Sequence, residues 1–304
     1  MANDTEAQAA GRTPQVTDPL GIVRIVLREI RVEHTLFALP FAYVGAVFAA
    51  RGLPTLYQFC WITLAVLGAR TAAMATNRYI DRDIDAQNPR TARRALASGA
   101  LAPGVMLGVA VAGIVLLAVS AAALNPLCLK LLPLAALGIF AYPFCKRFTW
   151  AVHFVLGAVD GFAPLGAYIA VSGTVSPSAI LLFGAVTIWV AGFDVIYALM
   201  DRDVDVAQNI RSIPARFGVA SGRLLPIALH LAMAVLLAAA GAFASVGLPY
   251  YAGVLFALML TFYEYRQFGA AENVFVLNEQ VFVSNMAFSV AFLVAAYAGF
   301  AWRG

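Results

Sequence analysis

Two short segments concentrate the residues that could do chemistry. The first reads Asn77-Arg-Tyr-Ile-Asp81-Arg-Asp83-Ile-Asp85, and the second Asp194-Val-Ile-Tyr197-Ala-Leu-Met-Asp201-Arg-Asp203-Val-Asp205; together they hold seven of the sixteen acidic residues. Asn77, Asp81 and Asp85 recur at i, i+4, i+8, which aligns them on one helix face. Asp194, Tyr197, Asp201 and Asp205 repeat such a face at i, i+3, i+7, i+11. Carboxylates stacked in this way repel one another unless a cation lies between them. Hard oxygen ligands with no histidine or cysteine beside them in sequence suit Mg²⁺ rather than zinc. Mg²⁺ is commonly held by one or two carboxylates plus substrate phosphates. The near-identical pentads Asp-Arg-Asp-Ile-Asp and Asp-Arg-Asp-Val-Asp therefore read as two pseudo-symmetric half-sites around one diphosphate. Asp83 and Asp203 point off the aligned faces and are expected to be solvated or salt-bridged.

Each pentad is followed by a basic stretch, NPRTARR in one case and QNIRSIPAR in the other. Arg90, Arg93, Arg94, Arg211 and Arg216 from these stretches, with Lys146 and Arg147 between them in the chain, supply donors suited to diphosphate oxygens. A general excess of basic residues on one membrane side would also place them there.

The elements that must position these residues are set by an apolar composition. Of 304 residues, 62% are hydrophobic and 12% charged, against roughly 45–50% apolar and about 25% charged in soluble domains. Such a chain is expected to be an all-α polytopic membrane protein, because helices satisfy their own backbone in lipid. Runs long enough to cross a core about 30 Å thick fall near 33–50, 56–80, 104–124, 127–145, 149–172, 177–200, 222–244, 247–265 and 279–301, nine in all. With the N-terminus in the cytosol, all of the twenty basic residues except Arg51, Arg70, Lys130 and Arg303 fall on the cytosolic side, the orientation that the positive-inside bias favours. The stretches 81–103 and 201–221 are then long polar cytosolic loops, so the chemistry should face the cytosol. The location expected is a prokaryotic inner or plasma membrane.

Residues 1–19 are polar, carry Pro14 and Pro19, and read as a disordered tail; 20–304 read as one transmembrane domain. Over 20–31, Arg24, Arg28 and Arg31 fall at i, i+4, i+7, a basic helix suited to an anionic membrane surface. Cys60, Cys128 and Cys145 are too scattered for a disulfide framework or a CxxC site and read as packing residues. His34, His153 and His230 lack metal-ligand spacing and read as interfacial or packing histidines. Arg70 lies eleven residues before Asp81, roughly 16 Å deep at 1.5 Å per residue, and Asp160 lies about as deep in its own span. Charges inside a membrane are costly and are paired or functional. Arg70 and Asp160 could form a structural salt bridge, or Arg70 could bind a substrate group. Asn285, near the start of the last span, is a further cavity candidate.

The motifs resemble those of the UbiA superfamily of intramembrane prenyltransferases. The resemblance runs through EHTLFALPFAYVGA at 33–46, ARTAAMATNRYIDRDIDAQNPRTARR at 69–94, YPFCKRFTWAVHFVLG at 142–157, FDVIYALMDRDVD at 193–205 and IRSIPARFG at 210–218. Asn77, Asp81 and Asp85 match the family's Asn-x-x-x-Asp-x-x-x-Asp; Asp194, Tyr197 and Asp201 match its Asp-x-x-Tyr-x-x-x-Asp, which Asp205 extends. Many members carry Asn-Asp where this chain has Asn77-Arg78, a departure off the metal face. The chain looks most like bacterial 4-hydroxybenzoate polyprenyltransferases and their relatives in menaquinone synthesis by the futalosine route.

The resemblance implies nine helices around a cavity capped at the cytosolic side, and Mg²⁺-dependent transfer of a polyprenyl group from its diphosphate to an aromatic, 4-hydroxybenzoate-like acceptor in quinone biosynthesis. The site it implies has Asp81, Asp85, Asp201 and Tyr197 as catalytic groups and Asn77, Asp81, Asp85, Asp194, Asp201 and Asp205 around the metal. Arg90, Arg94, Lys146, Arg147 and Arg211 would hold the diphosphate, and Arg70 and Asn285 the acceptor. Expected partners are the two substrates and the bilayer, not nucleic acid; the oligomeric state is open. Other acceptors (a futalosine-route menaquinone precursor, a haem, a chlorophyll precursor or a glycerol-phosphate lipid) and a membrane transporter are the alternatives.

Overall fold

A computed structural model describes residues 15–31, 35–270 and 274–302, and the regular elements among them are all α-helices. In chain order they are α1 (Pro19–Glu29), α2 (Thr35–Ala50), α3 (Leu56–Gln87), α4 (Pro103–Leu124), α5 (Pro126–Cys145), α6 (Val152–Ser172), α7 (Pro177–Ala198), α8 (Arg202–Ala207), α9 (Ile213–Ala244), α10 (Leu248–Ala270) and α11 (Val274–Ala301). Residues 1–14 of the expected tail, and His34, lie outside the described residues. The last part of that tail leads into α1, with the Val16 N–H donating to the Ala100 carbonyl at 3.0 Å.

Local sequence explains where the helices begin. Asp18 caps α1 by accepting from the Gly21 N–H at 2.7 Å, with Pro19 in the first turn. Thr55 and Gln58 form a reciprocal capping box on α3, which satisfies two N–H groups that have no partner inside the helix. Asn125, Ser176 and Ser212 cap α5, α7 and α9, each followed by proline within two residues, where its missing N–H costs nothing.

Among the described residues, seven helices are long and apolar enough to cross a membrane: α3, α4, α5, α6, α7, α9 and the Val283–Ala301 part of α11. The sequence reading expects nine. The other two are α2 and α10, whose described apolar stretches, Ala38–Ala50 and Leu248–Tyr263, run only about 20 and 24 Å at 1.5 Å per residue. Two expectations about the loops are corrected. The first long loop starts later than 81, because α3 continues through the whole first motif to Gln87. The second, 201–221, contains α8 and the start of α9, with a break in α9 at Gly218 (φ 84°, ψ 175°) that a residue with a side chain rarely adopts.

Close helix contacts set the positions of the motif-bearing elements. A Cβ at Gly157 of α6 would stand 2.0 Å from the Thr187 carbonyl oxygen of α7, and one at Gly45 of α2 would stand 2.0 Å from the Pro164 carbonyl of α6. Without a hydrophobic drive between helices in lipid, small residues that let backbones touch are what hold such pairs together. An aromatic core joins α2, α7, α10 and α11: the tilted rings of Phe41 and Trp189 lie 4.7 Å apart, and Phe288, Phe292 and Tyr250 are fully buried beside them. Outward faces stay apolar, as at Val111, Val115, Leu137, Val235 and Val294, which suits lipid and not water.

Candidate active site

α3 delivers the first motif as one continuous helical face, as its spacing predicts. Asn77 Nδ2 donates to Asp81 Oδ2 at 2.9 Å, and Lys146 Nζ, just past the end of α5, lies 2.6 Å from the same oxygen. Arg147 stands 3.6 Å from Asp81 Oδ1 and also donates to the Ile80 carbonyl at 3.0 Å. One turn on, Asp85 Oδ2 accepts from Arg94 at 2.7 Å. Asp81 and Asp85 are both buried, and a buried carboxylate needs such partners.

The second motif is not one helical face. α7 ends at Ala198, residues 199–201 form a turn, and α8 starts afresh at Arg202. The i+7 and i+11 alignment of Asp201 and Asp205 with Asp194 is therefore corrected: tertiary contacts, not helix period, place them. Asp201 stands at the N-cap of α8 without capping it, because its carboxylate is drawn across to the other half-site. Arg90 Nε donates to Asp201 Oδ1 at 2.8 Å, a second guanidinium nitrogen of Arg90 meets Oδ2, and Asn88 Nδ2 donates to Oδ1 at 3.0 Å. Burial alone would raise the Asp201 carboxyl, but these hydrogen bonds and the Arg90 charge outweigh it and hold it below its usual range. Asp205 accepts from Ser212 Oγ at 2.8 Å. Burial pushes its carboxyl up to about 6, with Ser212 opposing and the Asp201 charge adding.

The two motifs thus meet through Arg90, and Arg90, Arg94, Lys146 and Arg147 all lie on carboxylates of the expected metal face. Arg211 does not: its side chain donates to the Phe148 carbonyl at 2.6 Å and its N–H to the Lys146 carbonyl at 2.8 Å. Arg216 lies over the Phe217 ring, 5.5 Å from its centroid. The Tyr197 ring packs edge-on against Phe193, 5.4 Å away. Asp83 and Asp203 are exposed and pair with Arg82 at 3.7 Å and Arg202 at 2.7 Å, as expected of residues off the aligned face.

The residue set fits a hard cation. Asp81 Oδ1 is buried without a hydrogen-bond partner, an oxygen with lone pairs left for an ion, and the candidate ligands of the two motifs offer oxygen atoms. Among the described residues, no three His, Cys, Asp or Glu side chains converge tightly enough to hold a metal by themselves.

Below this rim, Arg70 and Asp160 meet at 3.6 Å. They line a cavity of about 160 Å³ whose other walls include Ile62, Leu124, Cys128 and Phe162. Arg70 Nε is buried with no hydrogen-bond partner. Asn285 sits apart from the cavity's lining, its Oδ1 accepting from Trp189 Nε1 at 2.8 Å within the aromatic core.

Several residues at the site were not legible in the sequence. His153, read as a packing histidine, bonds Asp194 at 2.7 Å. Arg78, the departure from the family pattern, is buried and pairs with Glu29 at 3.3 Å; Glu29 Oε1 accepts from the Ala95 N–H at 2.9 Å. This pair ties α1 to the segment that carries Arg90 and Arg94. Ser212 did carry a signal, since a serine before Ile-Pro is a helix start. Asn88 lay within a stretch read only for its arginines.

An all-helical membrane protein with paired aspartate motifs and their cations at one rim, over an apolar cavity, belongs to the class of intramembrane transferases that work on diphosphate-activated lipids. The model of the UbiA prenyltransferase family matches residues 38–286, and the chain belongs to that family. It is 35% identical over 226 residues to a 4-hydroxybenzoate octaprenyltransferase of Alkalilimnicola ehrlichii, covering 72% of this chain and 75% of that one. It is 34% identical over 258 residues to the enzyme of the same name in Vibrio cholerae, covering 82% and 88%. A solved apo structure of a UbiA homolog from Aeropyrum pernix superposes with TM-score 0.75 at 32% identity, over 88% of this chain and 97% of that one. The fold is shared too by a UbiA homolog from Archaeoglobus fulgidus bound to DMAPP and Mg²⁺, with TM-score 0.69 at 18% identity, over 91% and 99%. The chain is therefore a membrane prenyltransferase, and the transporter alternative is set aside.

Proposed function

We propose that the protein transfers a polyprenyl group from its diphosphate to a ring carbon of 4-hydroxybenzoate or a closely similar aromatic acid, at a rim facing the cytosol of a prokaryotic inner or plasma membrane. The observation that carries this reading is the Arg90–Asp201 contact, which brings two acidic half-sites from distant parts of the chain together. The relatives named 4-hydroxybenzoate octaprenyltransferase support the acceptor.

Asn77, Asp81, Asp85, Asp194, Asp201 and Asp205 would hold Mg²⁺, which when bound supplies the positive charge that neutralises the diphosphate leaving group. The chain's own groups do the rest. Arg90, Arg94, Lys146 and Arg147 exchange a carboxylate partner for phosphate oxygens, which they bind as charge-assisted donors. As the C1–O bond of the prenyl diphosphate breaks, its electron pair leaves with the diphosphate. The ring carbon supplies the pair for the new C–C bond, and the ring then loses its proton. Arg70, with a buried donor unused, binds the acceptor carboxylate. The apolar walls of the cavity exclude the water that would otherwise capture the allylic cation.

The test is a panel of aromatic acceptors and prenyl diphosphates with the purified protein, read by mass spectrometry. Prenylated 4-hydroxybenzoate as the main product supports the proposal. Prenylation of a different acceptor class, with 4-hydroxybenzoate inert, would overturn it.

A further inference from the structure

We infer that His153 is a positioning residue of the second half-site: its imidazole, held in one tautomer by the backbone at the start of α9, orients the Asp194 carboxylate toward the metal without cancelling its charge. The inference rests on the reading of Asp194 as a metal ligand.

His153 lies in the first turn of α6, and its side chain is only 3% exposed. The Ile213 N–H donates to its Nε2 at 3.2 Å. A ring nitrogen that accepts carries no proton, so in the neutral ring the proton is on Nδ1. Nδ1 then donates to Asp194 Oδ2 at 2.7 Å. With Oδ2 engaged, Oδ1 is the oxygen left for an ion, on a side chain that is 29% exposed at the rim.

The charge of the partners separates this role from simple packing. Asp81, Asp85 and Asp201 are each met by lysine or arginine, whereas Asp194 and Asp205 are met by the neutral donors His153 and Ser212. A neutral donor fixes a carboxylate's direction and leaves its full negative charge for a cation. Both donors are set by consecutive residues at the start of α9. Ser212 bonds Asp205 directly, and Ile213 reaches Asp194 through His153. Gly157, one turn beyond His153, permits the approach of α6 to α7 that this bond needs, since a Cβ there would clash with the Thr187 carbonyl. His230 gives the contrast: it is equally buried, but its Nε2 meets a backbone carbonyl, that of Trp189, at 3.3 Å.

Hydrogen-bonded partners of metal ligands typically contribute about 10–100-fold to metal affinity or activity. The experiment measures Mn²⁺ affinity of the detergent-purified protein in the presence of inorganic diphosphate, from the electron paramagnetic resonance signal of free Mn²⁺. Melting temperature without metal and KM for both substrates are recorded beside it. His153→Leu is expected to weaken Mn²⁺ about 10-fold or more and to raise KM for the prenyl diphosphate while leaving that of the acceptor unchanged. His153→Gln, whose amide can accept from Ile213 and donate to Asp194, should recover most of the affinity. His153→Asn, too short to span both partners, should not, and this pair of polar variants decides the matter if His153→Leu fails to fold. In the double variant with Asp194→Asn, His153→Leu should add little to the loss caused by Asp194→Asn alone. Wild-type Mn²⁺ affinity in His153→Leu, equal affinities in the Gln and Asn variants, or full additivity in the double variant would overturn the inference while leaving Asp194 as a ligand. Unchanged affinity in Asp194→Asn itself would overturn the ligand reading, and His153's role with it.

Discussion

At the scale of residues, the candidate site is a set of buried or half-buried carboxylates, three of them met by lysine or arginine, and the proposed function makes them ligands of a metal that shares a diphosphate with those basic side chains. Asp81 is held by Asn77, Lys146 and Arg147, and Asp201 by Arg90 and Asn88. Replacing either aspartate by asparagine keeps its size and most of its hydrogen bonding but removes the charge that a Mg²⁺ ligand supplies. Asp81→Asn and Asp201→Asn are each expected to lower turnover by about 100-fold or more, the scale of losing one preorganised electrostatic group. Both proteins should still reach the membrane and elute as wild type in detergent. Near-normal turnover in either variant at saturating Mg²⁺ and substrate would contradict the metal clamp. Legibility at this scale follows from where the partner lies. Asn77, Asp81 and Asp85 could be read because their spacing is local to one helix. His153 could not, because its partner is 41 positions away and nothing beside it in sequence hints at a carboxylate. Arg78 looked like a departure from the family pattern, and only the fold shows the buried Glu29 it answers.

Between elements, the same contrast holds. α3 runs without interruption through its motif, so helical spacing gave the right face. α7 stops at Ala198, and the pull of Arg90 and Asn88 on Asp201 sets the start of α8; a contact across more than a hundred residues leaves no periodic trace. The α3–α6 contact carries the Arg70–Asp160 pair, anticipated because two mid-membrane charges need each other. A double-mutant cycle assigns its role. If Arg70 binds the acceptor carboxylate, Arg70→Leu raises KM for the acceptor about 10-fold or more, the worth of a hydrogen bond to a charged group, and spares KM for the prenyl diphosphate; Asp160→Leu does not repair it. A pair that only stabilised the fold would behave otherwise. Each single variant would lose about 3–5 kcal/mol from an unpaired buried charge, and the double variant would recover much of that. Melting temperatures and both KM values across wild type, two single variants and the double variant distinguish the two patterns.

For the whole molecule, the acidic motifs, α1 and the basic segment after α3 lie at one end of the helices, and the turn around Arg51 and Gly52 lies at the other end of α3. On the proposed orientation, the motif end, with its excess of basic residues, faces the cytosol. In a cysteine-free background, Asp83→Cys should react with a membrane-impermeant maleimide only in inside-out vesicles, and Gly52→Cys only in right-side-out ones. The reverse pattern would contradict the orientation. The overall architecture was legible because composition forces helices in lipid. Of the nine expected spans, seven are helices long and apolar enough to cross among the described residues, and the other two fall on the apolar stretches Ala38–Ala50 and Leu248–Tyr263. What the architecture accomplishes is to join two half-sites from opposite halves of the chain over an apolar cavity. The most direct measurement of that claim is transfer from a prenyl diphosphate to 4-hydroxybenzoate by the purified protein before and after exhaustive chelation. Product should vanish on chelation and return with Mg²⁺ or Mn²⁺, with Zn²⁺ a poor substitute for an all-oxygen ligand set. Full activity in the chelated protein would contradict the account.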